Sequence, residues 1–180
     1  MILIEGQKLY CRLCNKEVNK EDALFFYGIE PNENKPLAIF NDAIVHKECF
    51  EEHPLKQKVL DRMKEFEKYQ SQNNVDYITG EDLSLENIGH PDNLINVFYL
   101  TDDKNNPLYK YNGISLNKRN LSKWKEYDKF LKLLIELNAS GKWEGNALKY
   151  LISHLRSPIR APFTKEFLNK MKERYPDKFK

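Results

Sequence analysis

The sequence predicts an α+β chain made of two small hairpin-and-helix units followed by a helical C-terminal part. Three observations carry that prediction. Residues 23–29 are rich in aromatic and apolar residues, as strands are, and residues 37–40 and 43–45 read as the returning strand across a turn, 30–36, that holds two prolines. A run of similar punctuation recurs at 107–121. Beyond residue 121, apolar residues return mostly at spacings of three and four, which is the period of a helix.

Composition bounds the rest. The chain has 180 residues, of which 41% are hydrophobic and 12% aromatic, enough for a packed core and too apolar for a disordered chain. The longest apolar runs, such as Leu133, Leu134 and Ile135, fall far short of a membrane span. The opening MILIEGQKLY has no basic segment followed by an apolar one, so no secretory signal is expected there. The expectation is an intracellular, cytoplasmic protein without a membrane partner. The net charge of +2 hides an asymmetry: residues 1–117 hold 13 Lys+Arg against 20 Asp+Glu, a balance of −7, and residues 118–180 hold 16 against 7, a balance of +9. A basic last third on an acidic body suggests either an anionic partner or basic helices docked on the acids of the same chain.

Cysteine usage is the most specific signal. Three cysteines, an odd number, cannot close a complete disulfide framework. With His46 they form Cys11-x2-Cys14-x31-His46-x2-Cys49, a single four-ligand set that uses every cysteine. Tetrahedral Zn²⁺ takes S and N donors of this kind, and a structural site fills all four positions. Two residues between Cys11 and Cys14 let a knuckle present both sulfurs to one ion, and on a helix His46 and Cys49 share a face. The alternative, a redox C-x-x-C, leaves His46 and Cys49 unexplained and lacks the βαβ pattern around it. One structural Zn²⁺ held by Cys11, Cys14, His46 and Cys49 is expected. After these ligands, Pro54 divides a short helix from a longer one, with Leu55, Val59, Met63 and Phe66 as the apolar stripe of the second.

A C-x-x-C knuckle, a hairpin, then a helix whose first turn supplies the last two ligands resembles the treble-clef zinc finger, and residues 46–50 are similar to the middle of a LIM finger. The resemblance covers residues 10 to about 70. It departs from LIM in the long gap of 31 residues and in having no second ligand set. It implies a fold and a metal. Members of the family bind DNA, bind proteins or cut nucleic acids, so fold alone does not fix function.

The second half reads as a copy of the first without the metal. PLAIFNDAIVHKECF at 36–50 aligns with PLYKYNGISLNKRNL at 107–121, with Pro, Leu, Asn and Lys identical at 36/107, 37/108, 41/112 and 47/118. Phe26 and Tyr27 match Phe98 and Tyr99 at an offset of 72, and residues 10–14 face 75–79 at an offset of 65, so an insertion of seven residues is expected near 86–92. The ligands then become Asp76, Thr79, Asn117 and Asn120, which do not make a zinc site. The competing explanation is that hairpin turns look alike because they need Pro and Asn. The expected organisation is a treble-clef zinc unit at 1–72, a degenerate treble-clef-like unit with a long helix at 73–140, and basic C-terminal helices at 141–180.

In the last third, a helix is expected at 121–138 with Trp124, Tyr127, Leu131, Leu134 and Ile135 on one face, and another at 146–155. Residues 157–162, SPIRAP, form a rigid connector, and Thr164 caps a final helix with Phe167, Leu168, Met171 and Tyr175 facing inward. His53, His90 and His154 read as packed or solvated side chains.

Two functional readings follow. The first is a non-enzymatic interaction or adaptor module with a structural zinc ion and a protein partner. The alternative is nucleic-acid binding, with Lys118, Arg119, Lys123, Arg156, Arg160, Lys172 and Arg174 on phosphates and bases. A relative of His-Asn-His nucleases ranks third. Such a site needs a histidine base in the clef, but residues 108–111 have none and His46 is a ligand, so no enzyme is expected.

Overall fold

The computed structural model describes residues 8–72 and 74–175. The opening stretch read for a signal and the expected boundary at 72/73 lie partly or wholly outside the described residues. A first knuckle is closed by an antiparallel bridge between Tyr10 and Glu17. Strand β1 (Ala23–Phe25) then pairs antiparallel with β2 (Ile44–His46), and helices α1 (Lys47–Glu51) and α2 (Lys56–Gln72) follow. A second knuckle is closed by Val75 and Asp82. After a short α3 (Leu85–Ile88), β3 (Leu94–Asn96) pairs antiparallel with β4 (Ser115–Asn117), and α4 (Tyr127–Ala139), α5 (Ala147–Arg156) and α6 (Lys165–Arg174) complete the chain. The architecture is α+β, with two separate two-stranded sheets among the described residues. No helix of the described residues is long and apolar enough to cross a membrane.

Several elements differ from expectation for local reasons. The returning strand foreseen at 37–40 is a 3-10 turn, Pro36–Phe40. Proline fixes φ near the helical value and lacks the N–H that a ladder needs. The turn drops Leu37 and Phe40 into the core. The helix foreseen from residue 121 starts at Tyr127, after a 3-10 stretch, Lys118–Lys123, that ends at an extended Trp124. On α4 the buried side chains are Phe130 and Leu134, while Ile135 is exposed. On α2 the core side runs through Val59 and the buried Arg62, and Met63 faces out. The inward stripe foreseen on α6 is absent: the helix has no buried residue.

The two hairpins share one register. Ala23 lies opposite His46 and Leu94 opposite Asn117, each pair displaced by 71 positions. The Asn41 side chain brackets the first turn, accepting from Glu30 N–H at 2.8 Å and donating to Glu30 C=O at 2.6 Å. Asn112 does the same in the second, accepting from Leu100 N–H at 2.8 Å and donating to Thr101 C=O at 2.8 Å. Phe26 N–H donates to Ala43 C=O and Val97 N–H to Ile114 C=O, so Phe26 corresponds to Val97, not to Phe98. Aromatic identity suggested the wrong partner; burial decides it, because Phe26 and Val97 both enter a core. With the knuckles displaced by 65, the extra segment that carries α3 is six residues long, not seven.

Each hairpin sits on its own core. The first gathers Phe26, Phe40, Val45, Phe50 and Val59, with the three phenyl rings 5.0–5.9 Å apart in tilted and edge-on contacts. The second is larger and holds both tryptophans, Trp124 and Trp143, with Tyr111, Phe130, Leu134, Leu148 and Leu155 from α4, α5 and the hairpin. Among the described residues, the two are joined around three side chains, Asn32, Tyr69 and Arg62. Asn32 donates to Lys142 C=O at 3.0 Å and accepts from Glu144 N–H at 3.1 Å, tying the first hairpin turn to the α4–α5 loop. Tyr69 on α2 covers Gly113, where φ is +69° and any Cβ would collide with the ring. Between these lies Arg62, whose side chain is only 4% exposed. It bonds Glu30 at 3.0 Å and Asp102 at 2.7 Å, and stacks over the Tyr99 ring at 3.5 Å.

Candidate metal centre

The knuckle is a tight backbone loop. Cys11 N–H donates to Lys16 C=O at 2.9 Å, Asn15 N–H donates to Cys11 C=O at 2.8 Å, and Asn15 takes a left-handed φ of 59° to close the loop. Arg12 N–H donates to Ile44 C=O at 2.8 Å, which docks the knuckle beside β2. β2 ends in His46, and the next turn, the start of α1, carries Cys49 three residues on. The ligand atoms of Cys11, Cys14, His46 and Cys49 all lie within 4.8 Å of one another.

The distances fit a single ion. His46 Nδ1 is 3.4 Å from Cys14 Sγ and 3.7 Å from Cys49 Sγ. A tetrahedral zinc ion with Zn–S of about 2.3 Å and Zn–N of about 2.0 Å spaces its N and S ligands about 3.5 Å apart. His46 Nε2 lies 3.1 Å from Glu17 C=O. The carbonyl accepts, so Nε2 carries the proton and Nδ1 keeps its lone pair for a metal. Cys11 Sγ accepts from His46 N–H at 3.4 Å. Burial opposes the Cys11 thiolate, but N–H donors at His46, Cys14 and Leu13 outweigh it and bring its pKa down to about 6. Cys49 is pushed up to about 11 by burial and by hydrogen bonds and repulsion from the two neighbouring sulfurs. The repulsion that holds the Cys49 proton beside Cys11 and Cys14 is what a cation between the sulfurs relieves. The donor set, three soft sulfurs and one imidazole, fits one zinc ion.

The other histidines have separate duties. His53 Nδ1 accepts from Leu55 N–H and its ring meets Phe40 edge-on at 5.1 Å. His90 Nδ1 accepts from Asp92 N–H and its ring packs on Phe163 at 4.6 Å. His154 Nε2 pairs with Asp92 C=O at 2.8 Å.

The second knuckle gathers Asp76, Thr79, Asn117 and Asn120. Asp76 is almost wholly buried. Its carboxylate accepts from Asn117 N–H at 2.8 Å, Thr79 Oγ1–H at 2.8 Å and Asn120 Nδ2–H at 2.9 Å. Lys123 Nζ donates to Asn120 Oδ1 at 2.9 Å.

The seven basic residues expected to face nucleic acid are mostly engaged elsewhere. Lys118 corrects the expectation most clearly. It is 3% exposed and donates to Ser157 Oγ at 2.8 Å, and burial lowers its pKa. Lys123 is tied to Asn120 as above. Arg119 donates to Asn87 C=O at 3.1 Å. Arg160 lies 3.5 Å from Asp92, and Lys172 2.7 Å from Glu86. Arg174 lies over the Tyr175 ring at 5.6 Å, and Arg156 is exposed at the end of α5. Two of the acids used, Asp92 and Glu86, belong to the acidic first two thirds.

Sequence reasoning missed the Arg62 junction. There a cleft of about 530 Å³ opens between α2 and the second unit, lined by Lys35, Lys58, Glu65, Tyr99 and Tyr109 around the guanidinium. Arg62 stands among charged residues on α2, a context that reads as solvated face. Comparison with known proteins finds no family model, no curated protein and no solved structure that matches the chain.

Proposed function

We propose that the chain is a non-enzymatic adaptor whose rigid core is a treble-clef zinc unit followed by a second, metal-free unit of the same design. The carrying observation is the closed donor set of Cys11, Cys14, His46 and Cys49, with His46 oriented by Glu17. Four protein ligands leave no open position for substrate or water, so zinc here stabilises and does not catalyse. The matched registers and the Asp76 hydrogen-bond cluster support the second unit as a copy in which a carboxylate and its donors stand in for the ion. The structural duties of His53, His90 and His154 support the non-enzymatic reading. Three thiols reserved for a metal suit a reducing, cytoplasmic setting.

Metal analysis of protein purified under reducing conditions tests the reading. One zinc per chain is expected, falling well below that in Cys49→Ser. A chain that retains full structure and no transition metal overturns it. The competing nucleic-acid reading requires salt-dependent retention on DNA or RNA, because released counterions make phosphate contacts weaken steeply with salt. The burial of Lys118 and the Lys123–Asn120 hydrogen bond weigh against it.

A further inference from the structure

The segment before α6 is firmly held, while α6 itself buries nothing. Asn93, fully buried, donates to Arg160 C=O at 2.9 Å and accepts from Arg160 N–H at 2.8 Å. Phe163 N–H donates to Gly89 C=O at 2.8 Å, and the Phe163 ring packs on His90. Thr164 Oγ1 then accepts from Phe167 N–H at 3.2 Å, capping the helix. Beyond the cap, Phe167 is 43% exposed and Tyr175 40%, with Leu168 and Met171 half-buried. Among the described residues, side-chain contacts between α6 and the rest of the chain include Phe163 on Phe167 at 4.6 Å and an exposed Lys172–Glu86 pair. An exposed ion pair adds under about 1 kcal/mol. Helices α4 and α5, by contrast, each bury residues in the second core.

The residue order on α6 is also polarised. Phe167 and Met171 recur at i and i+4, with Leu168 beside them. Lys170 and Arg174 border that stripe on one side, Lys165 and Lys172 on the other, and Glu166 and Glu173 lie opposite. Bases stack on open aromatic faces, but the Phe167 ring already packs on Phe163 at 4.6 Å, which disfavours nucleic acid. With Leu168 and Met171 half-buried, the open apolar strip is about one side chain wide. That is too narrow to sink into lipid, but it matches the ridge of another helix. Lys170 and Lys172 already pair with Glu166 and Glu86, but both pairs are exposed and weak, so carboxylates on the edges of a docked ridge can take their place.

We propose that α6 is a docking helix for an acidic amphipathic helix of a partner protein. This rests on the adaptor reading and names the partner chemistry it takes. A preformed, capped helix on an anchored strap costs less ordering on binding than a disordered tail.

The test uses the full, zinc-loaded chain and a fluorescein-labelled synthetic helix with Leu at i, i+3, i+4 and i+7 and Glu on both flanks. A control peptide carries Lys in place of each Glu. Fluorescence anisotropy is expected to show binding of the Glu peptide about tenfold or more tighter than the Lys peptide, weakening as salt rises. Phe167→Ala with Met171→Ala is expected to weaken binding of the Glu peptide by about tenfold. Lys170→Glu with Arg174→Glu is expected to reverse the preference between the peptides. Because α6 has no residue in either core, zinc content and the unfolding of both cores should match the parent chain, and Lys170→Glu with Arg174→Glu, which keeps the Phe163–Phe167 contact, separates lost docking from a loosened α6. A failure here is therefore distinguishable from failure of the zinc scaffold. Equal binding of both peptides overturns the proposal, as does binding unaffected by the α6 substitutions. Tighter α6-dependent binding to phosphatidylcholine–phosphatidylserine vesicles or to single-stranded RNA overturns it as well.

Discussion

The two knuckles use one backbone frame and opposite chemistry. Cys11 N–H reaches Lys16 C=O as Asp76 N–H reaches Glu81 C=O, at 2.9 and 2.7 Å. Asn15 N–H closes on Cys11 C=O as Gly80 N–H closes on Asp76 C=O. At the head of the following helical turn, His46 N–H points at the Cys11 sulfur and Asn117 N–H at the Asp76 carboxylate. In the first unit the side chains are all metal donors, and Cys49 is pushed up by its two neighbouring sulfurs. In the second, one acceptor is surrounded by donors and is satisfied without an ion. The lesson is that a buried carboxylate with three short hydrogen bonds can close the same knuckle frame that elsewhere presents four metal donors, with a larger core beside it. The second unit has that core in Trp124, Phe130, Trp143, Leu148 and Leu155.

Metal removal should break the comparison most sharply. Zinc binding supplies on the order of 10 kcal/mol of folding free energy to small fingers. Both tryptophans lie in the second core, so their emission reports that unit alone. Chelation under reducing conditions is expected to abolish slow amide exchange in β1 and β2 while leaving tryptophan emission near its native wavelength. A parallel red shift on chelation would show that the units do not fold independently.

Arg62 is the next largest lever, because it belongs to the first unit and is ligated by both. Glu30 and Arg62 are each 4% exposed, so Arg62→Ala leaves a buried carboxylate without its cation. Removing one partner of a buried pair costs about 3–5 kcal/mol. Urea unfolding of the variant should show that loss and separate into two transitions, the later one followed by tryptophan emission. A single transition at the original midpoint would mean that Asn32 and Tyr69 alone join the units.

Asp76→Asn probes the ion-free solution directly. It puts an N–H₂ where donors already point, and losing hydrogen bonds to a buried charge costs about 2–3 kcal/mol. The comparison is sharpened by the opposite exchange, Asp76→Cys, Thr79→Cys, Asn117→His and Asn120→Cys together. If the frames are equivalent, that variant binds a second zinc, read as a doubling of metal content. A content unchanged at one would show that the frames differ by more than their side chains.

What the sequence makes legible follows from this contrast. The metal-ligand candidates Cys11, Cys14, His46 and Cys49 are readable because chemistry restricts such donors to Cys and His at a short spacing. The four residues that replace them, Asp76, Thr79, Asn117 and Asn120, are readable only through alignment with the first set, since Asp, Thr and Asn are common in turns. The knuckle displacement of 65 was legible, but the strand register was misjudged by one residue because Phe26 was matched to an aromatic and not to the inward position Val97. Arg62 was illegible for a different reason: its burial is set by Glu30, Asp102 and Tyr99, which reach it from far along the chain. The α6 stripe has the period of a core helix, yet none of its residues is buried among the described residues, and periodicity alone carries no information about a covering surface.

The smallest expected effect concerns the pH response of the junction. Burial raises the Glu30 pKa above its ordinary value of 4.5, against the opposing pull of Arg62. The folded chain then holds that proton more tightly than the unfolded chain does. By linkage, the Glu30 contribution to stability is fully present below about pH 4.5 and declines as pH rises through the raised value. The zinc ligands act in the opposite direction, because protons compete with metal as pH falls. Glu30→Gln cannot titrate, so the difference in unfolding free energy between the parent chain and the variant isolates the junction. That difference, from urea midpoints at a series of pH values in excess zinc, should shift against the parent chain as pH rises above 4.5. A difference that is flat with pH would mean that the Arg62 guanidinium keeps Glu30 ionised throughout, and that the junction is a permanent ion pair like those on the surface, only better shielded from water.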